Sequence, residues 1–126
     1  MNEQVRLFAN DLFSSSELNR LPERYGGGRI FAEPLLGVSR GDDHIFQKYK
    51  EVVAPEHLTP AEMWIQSDLP GQENLAAALR IVSIVFPYAG RIREESKTAE
   101  KIPAEIYCVG RNYANAFMKD VLKRTV

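Results

Sequence analysis

Apolar residues near the start of the chain recur at helical spacing. They predict a helix over residues 3–13 whose buried face is formed by Val5, Leu7, Phe8, Leu12 and Phe13. The three serines at 14–16 interrupt this pattern, and Ser15 or Ser16 can cap a short helix through residues 17–20. The chain is therefore expected to begin with two helical segments.

Two further helices carry start signals of their own. Asp42 or Asp43 can cap a helix over residues 44–53, whose apolar positions fit one face. Thr59 followed by proline and by Glu62 has the sequence of a capping box, in which each of the two side chains satisfies a backbone N–H of the first helical turn. Both segments are predicted to be helices that begin at these polar residues.

The clearest strand pattern covers residues 80–86, which are β-branched and almost entirely apolar. A run of this kind is typical of a strand covered on both faces. A shorter strand is predicted at 34–39. Because helical segments precede and follow these runs, the pattern predicts an α/β fold. We expect a small mixed sheet with a buried central strand at about 80–87, flanked by helices.

The last part of the chain combines an apolar stretch at 106–109, a glycine hinge at Gly110 and an amphipathic helix over 111–124. The first stretch is expected to be extended. Segments of this kind usually lead into more protein, so the chain is expected to be the front portion of a longer one. The final helix should expose part of its apolar face, which predicts a protein interface at Phe117, Met118, Val121 and Leu122.

Length and composition narrow the function classes. The 126 residues fit a single domain, here divided into a helical extension with a glycine-rich loop at 1–29 and a main body at 30–126. The net charge of −1 and the lack of a basic run argue against nucleic-acid binding. The longest apolar run is too short to cross a bilayer. The single cysteine, Cys108, favours a reducing compartment, so we expect a cytoplasmic protein without an iron–sulfur cluster.

Residues that could carry chemistry are isolated along the chain. The glycines at 26–28 are not followed by a lysine at phosphate-loop spacing, so a surface loop is the favoured interpretation. His44 beside Asp43 lacks a third ligand nearby, and His57 stands alone in a loop. Cys108 is expected to be a buried structural thiol. We therefore predict no catalytic residue and no metal site.

Several segments resemble one protein family in the right order. Residues 33–46 (EPLLGVSRGDDHIF) are similar to the EPLVGFA-GDDPLF stretch near the start of epoxyqueuosine-reductase-like iron–sulfur proteins. Residues 48–60 are similar to the YKEII and HLTP motifs that follow, and 78–88 to the strand ending in LPY. Gly110 to Tyr113 resembles the GRDYH turn of that family. The resemblance spans about residues 30–124.

The resemblance implies an oxidoreductase-related protein that lacks the family's cysteine-rich cluster domain. We therefore expect a domain that is non-catalytic alone, holds no cofactor, and associates as a homodimer or with a cluster-bearing partner. The alternative is a reductase domain that binds a corrinoid or a flavin at the carboxyl edge of the central strand. Its cofactor-binding residues would be Tyr88, Gly110, Arg111 and Tyr113, although Asn112 and Ala114 depart from the family's turn.

Overall fold

The computed structural model describes residues 3–71 and 73–125. This part of the chain is mixed helix and strand, with a two-stranded antiparallel sheet. The strands are β1 (Leu35–Arg40) and β2 (Arg80–Val85). The α-helices of the described residues are α1 (Glu3–Ser15), α2 (Ile45–Val52), α3 (Pro60–Gln66), α4 (Leu75–Ala78), α5 (Gly90–Lys97) and α6 (Glu105–Arg124).

The predicted start signals are present at the helix ends. The Ser16 side chain caps a 3-10 turn at Glu17–Asn19. Asp43 Oδ1 accepts a hydrogen bond from the Ile45 N–H at 3.0 Å, where α2 begins. At α3 the capping box is complete, because Thr59 Oγ1 accepts from the Glu62 N–H and Glu62 Oε2 accepts from the Thr59 N–H. These local predictions are confirmed.

The strand prediction is confirmed in position, whereas the predicted burial of β2 is not observed. β2 pairs only with β1 among the described residues, and every residue of the strand is exposed or half-buried. Val82 and Val85 keep 42% and 54% of their surface exposed. An apolar run indicates that a strand favours burial, but it does not indicate which part of the protein covers the strand. The sequence pattern therefore could not show whether helices pack on β2.

The last helix is longer than predicted. Residues 106–109, expected to be extended, belong to α6, and Gly110 lies inside the helix instead of forming a hinge. The helix starts directly after Pro103 and Ala104, with Glu105 in its first turn and Lys123 and Arg124 in its last. Charges placed in this way complement the helix dipole. The interior glycine is tolerated because of a close packing contact, described below.

The chain divides into two compact units. Unit 1 consists of residues 1–35 and 84–126, and unit 2 of residues 36–83. The core of unit 1 brings α1, α5 and α6 together with residues 21–31. Its aromatic centre places the Phe13 ring 4.9 Å from Phe117 and 5.0 Å from Phe86. The buried core residues are Phe13, Leu21, Ile30, Phe31, Ile92, Ile106, Ala114, Phe117 and Val121.

Unit 2 has little core of its own. It holds α2, α3 and α4 with most of both strands. Among the described residues, Leu75 is its one buried apolar side chain, and it buries Thr59 as a polar one. The exposed large apolar residues of this unit are Val38, Ile45, Val52, Val53, Met63, Ile65, Leu69 and Val82. Unit 2 therefore relies on local contacts such as helix caps.

Candidate functional site

A cleft in unit 1 is the strongest candidate site, and it lies between α5 and the start of α6. Its cavity has a volume of about 380 Å³ and is lined by Tyr88, Ile92, Arg93, Ser96, Lys97 and Tyr107. The two tyrosine rings meet edge to face, with 5.5 Å between their centroids. Tyr107 also lines an adjoining cavity of about 340 Å³ formed with residues 99–104. The cleft thus has aromatic walls and two lobes.

Tyr88 is held in place by backbone pairing on one side and ring packing on the other. It forms an isolated antiparallel bridge with Phe31, and the Ala32 N–H donates to the Pro87 carbonyl at 2.8 Å. The Phe31 and Tyr88 rings stack at 5.1 Å. Since Phe31 belongs to the core, the Tyr88 side chain is anchored at the edge of unit 1.

Gly110 allows α6 to approach this anchor. A Cβ atom at this position would lie 3.2 Å from Ile92 Cδ1 and 3.8 Å from Tyr88 Cε1. Contacts near 3.2 Å require the neighbouring atom to move, and Ile92 is itself 1% exposed. The absence of a side chain at Gly110 therefore sets how closely α6 packs behind the cleft.

Cations surround the aromatic walls. Arg93 and Lys97 are one helical turn apart on α5, so both reach the same cavity. Lys97 Nζ lies 2.8 Å from Glu94 Oε1, in a pair whose two side chains are more than two-thirds exposed. Burial raises the pKa of the Tyr88 phenol, Tyr107 adds to this effect, and the nearby charge of Arg111 opposes it. The Tyr88 phenol is thus a neutral hydrogen-bond donor at pH 7.

Of the four predicted cofactor-binding residues, Tyr88 lines the cleft. Gly110 packs behind it, where an added Cβ atom would lie 3.8 Å from Tyr88 Cε1, and Arg111 is near enough for its charge to act on the Tyr88 phenol. Tyr113 lies elsewhere on unit 1, where its hydroxyl accepts a hydrogen bond from Arg24 Nη2 at 3.0 Å and its ring is 6.5 Å from Tyr25. The sequence prediction placed a hinge at Gly110 and began the helix at Arg111, whereas residues 110–113 all lie inside α6. Tyr113 is about one turn along the helix from Gly110, and its ring packs near Tyr25 instead of Tyr88.

Two of the four predicted interface residues are buried in the structure, and the other two are at least partly accessible. Phe117 and Val121 are 0% exposed and belong to the core of unit 1, so neither is available to a partner in this structure. Met118 is partly buried against that core, and Leu122 is 55% exposed. The two buried residues are corrections to the prediction: the apolar face of α6 packs on its own unit.

The other candidate residues do not assemble into a site. Cys108 was expected to be buried, but it is exposed on α6. Gly26, Gly27 and Gly28 all have positive φ, as a glycine loop allows, and Arg91 donates to the Gly26 carbonyl at 3.3 Å. His57 Nδ1 is buried without a hydrogen-bond partner. Within the described residues, no three histidine, cysteine or acidic side chains cluster as metal ligands would.

Comparisons with known proteins add no neighbour: no family model, no curated protein and no solved structure matches the chain. The resemblance to epoxyqueuosine-reductase-like proteins consequently stays a prediction. Within residues 3–71 and 73–125, no helix has both the length and the apolar character needed to span a bilayer.

Sequence reasoning missed Tyr107, Arg93 and Lys97. Tyr107 falls in the stretch at 106–109 that was predicted to be extended, and the charged residues 91–97 carry no motif that predicts a site. One signal was present, because Arg93 and Lys97 share a helix face at the i and i+4 positions. What the sequence could not indicate is that this face lies beside Tyr88, since that contact depends on tertiary packing.

Proposed function

We propose that this protein is a non-catalytic association module that acts by pairing with a second copy of itself. The role rests on the resemblance to the front part of epoxyqueuosine-reductase-like proteins, which in that family precedes the cluster domain. A cluster-bearing redox protein is the other partner that the resemblance suggests. The reducing cytoplasm is the compartment in which such a partner would be expected.

The observation that supports association most strongly is the surface of unit 2. Of the apolar side chains buried in the described part of the chain, Leu75 alone lies in this unit. Meanwhile α2 and α3 expose Val52 at 65%, Met63 at 56% and Ile65 at 60%. Apolar surface that a unit cannot bury against itself is typical of protein interfaces. Burying it would stabilise unit 2 by about 25 cal/mol per Å².

The predicted burial of β2 belongs to the same proposal. In the described residues the sheet has two strands, and a strand pair of this kind is marginally stable in water. Ile81, Val82 and Ile84 have the composition of a strand in the middle of a sheet. We infer that β2 becomes central and covered when the partner is bound.

The test is the oligomeric state of the full chain, measured by sedimentation velocity over a wide range of concentrations. We expect a reversible dimer. Ile65→Lys places a charge on the apolar surface of α3 and should weaken dimerisation by about tenfold or more, since an unpaired charge is costly in an interface.

Leu7→Lys is the matched control, because Leu7 on α1 is 59% exposed and Ile65 on α3 is 60% exposed. It should leave the dimer unchanged. A wild-type protein that remains monomeric at every concentration would contradict self-association, as would equal weakening by both substitutions.

A second candidate function is favoured by the cleft that Tyr88 lines, with Gly110 packed behind it and the charge of Arg111 nearby. In this case the protein would be a reductase domain that binds a flavin or a corrinoid there. The cavity of about 380 Å³ lies at the small end of ligand pockets. A flavin ring fits this size better than a corrin macrocycle does.

The experiment for this second function is spectroscopic. Flavin mononucleotide or cobalamin is added to the purified chain, and the visible spectrum is recorded at increasing ligand concentration. A saturable shift that is lost in Gly110→Val, where the new side chain would push against Ile92, supports a cofactor site. Unchanged spectra at saturating ligand would contradict it.

A further inference from the structure

We propose that the cleft between α5 and α6 binds a small aromatic anion, meaning an aromatic ring that carries a carboxylate or a phosphate. The ring would pack against Tyr107 and Tyr88, and the anionic group would meet Arg93 and Lys97. This site lies wholly in unit 1, so it stands whether or not unit 2 associates.

The aromatic part of the ligand is indicated by the walls of the cleft. Tyr88 and Tyr107 already contact one another edge to face at 5.5 Å, and both are half-buried. Aromatic rings prefer offset or edge-to-face partners at about 4.5–7 Å between centroids. A third ring beside Tyr107 would continue this packing into a cavity of about 380 Å³ that also contains the apolar side chain of Ile92.

The negative charge of the ligand is indicated by the groups that lack partners. Among the described residues, the Arg93 side chain forms no hydrogen bond and no ion pair within 4.0 Å, and its charge reaches Glu94 only as a minor addition to Lys97 in lowering the pKa of that carboxyl. Neither the Tyr88 nor the Tyr107 hydroxyl donates to another described residue. Arg93, Lys97, Tyr88 and Tyr107 all line one cavity whose wall is mostly apolar, and an anion at its rim is a ligand that can accept from all four.

Lys97 can also bind the anion, because leaving its present partner costs little free energy. Its partner Glu94 lies on the same exposed helix, and the side chains of the pair are 69% and 68% exposed. Surface ion pairs of this kind contribute little to stability. An anion in the cleft can therefore replace Glu94 as the partner of Lys97 without a large penalty.

The aryl carboxylate and the aromatic phosphate are distinguished by two probes. The purified chain is titrated with 2-naphthoate and, separately, with adenosine 5′-monophosphate, and binding is followed by NMR shifts of the Tyr88 and Tyr107 ring protons. Neutral 2-naphthylmethanol and adenosine are the matched controls. We expect at least one anion to bind about fivefold or more tightly than its neutral counterpart, as one exposed charge contact would provide.

Arg93→Gln should lower the affinity for the anion by about fivefold, because it removes a cation that lines the cleft. Lys119→Gln is the control, since Lys119 is exposed on α6 and lies roughly 18 Å along the helix from Tyr107. Tyr107→Phe should retain most of the affinity, whereas Tyr107→Leu should lose the ring contact.

Binding of naphthoate alone identifies the carboxylate class, and binding of the nucleotide alone identifies the phosphate class. The proposal is wrong if neither anion shifts the tyrosine signals at millimolar concentration. It is also wrong if the neutral compounds bind equally well, or if Arg93→Gln leaves the affinity unchanged.

Discussion

The two units of this chain differ in whether their buried polar side-chain atoms form hydrogen bonds. In unit 1, Asn19 is 1% exposed and its side chain makes three hydrogen bonds with the backbone of Phe13 and Phe31. In unit 2, His57 Nδ1 is buried and has no hydrogen-bond partner among the described residues. An unsatisfied buried polar atom costs about 1–3 kcal/mol. Unit 1 is therefore internally complete, and unit 2 is not.

The same contrast holds for apolar packing. Phe13, Phe31, Phe86 and Phe117 form one cluster with ring centroids between 4.9 and 6.1 Å apart. The ring contacts described in unit 2 form a short row, in which Tyr49 lies 6.1 Å from Phe46 and 5.3 Å from His57. A unit without a shared core must gain its stability from local hydrogen bonds or from a partner. This difference is the physical basis of the proposed association.

The largest expected effect comes from removing the centre of the unit 1 core. Phe117→Ala should lower the free energy of unfolding by about 3–5 kcal/mol, because Phe117 is fully buried among three other rings. The measurement is urea denaturation followed by circular dichroism. Phe46→Ala in unit 2 removes a half-buried ring and should cost about 1–2 kcal/mol. Equal losses would remove the distinction between the units.

A smaller loss is expected from the buried amide. Asn19→Ala leaves the Phe31 N–H and the carbonyls of Phe13 and Phe31 without the bonds they now make, at a cost of roughly 2–3 kcal/mol. Asn115→Ala, an exposed position on α6, is the control and should change stability by about 0.5 kcal/mol or less. Thermal unfolding of both variants tests this. An Asn19 variant as stable as its control would show that the network is not needed.

The capping box tests how far unit 2 depends on local bonds. Thr59→Ala removes the oxygen that accepts from the Glu62 N–H and should cost about 1 kcal/mol. Thr98→Ala at the end of α5 removes an exposed bond and should change stability by at most about 0.5 kcal/mol. Amide hydrogen exchange over α3 is the measurement. No increase in exchange after Thr59→Ala would contradict the dependence of unit 2 on its caps.

The smallest expected effect is a dependence on pH. The Lys50 ammonium and the Thr59 N–H lower the pKa of Glu62 from 4.5 to about 2. Because the folded-state pKa is the lower one, the contribution of Glu62 is complete above about pH 4.5 and is lost as the pH falls towards 2. Hydrogen exchange over α3 between these pH values should increase in the wild type.

Glu62→Gln is the control for this titration, since glutamine does not ionise. Its α3 exchange, corrected for the intrinsic pH dependence, should be flat over the same range. A wild type that shows the same flat profile would indicate that the Glu62 pair is not formed.

Much of the local structure could be predicted because it depends on neighbouring residues. Thr59 and Glu62 stand three residues apart, and their reciprocal bonds are present in α3. The predicted N-terminal helix is likewise observed, although it buries Ala9, Leu12 and Phe13 and leaves Leu7 and Phe8 exposed. The helical period predicted the buried face of α1 approximately. Which residues lie at the centre of that face depends on how α1 packs on the core.

The candidate site could be predicted only in part. Tyr88 was expected beyond the end of β2, where it lies, but Tyr107 and Arg93 were not expected beside it. Tyr113 was grouped with Gly110 because residues 110–113 resemble the family's turn motif, whereas in α6 it contacts Arg24 and Tyr25. Tertiary packing, and not closeness in sequence, therefore decides which side chains share a site.

The sequence by itself determined where α2 and α3 begin, where both strands lie and where the glycines at 26–28 turn the chain, because caps, β-branched runs and positive φ act over a few residues. It did not determine the start of α6, where Gly110 is helical and packs close to Ile92. Tertiary structure decided which apolar faces are covered. It buried Phe117 and Val121 inside unit 1 and left β2 open. An apolar pattern specifies a face that favours burial, whereas the surface that covers it comes from residues far away in the chain or from another molecule.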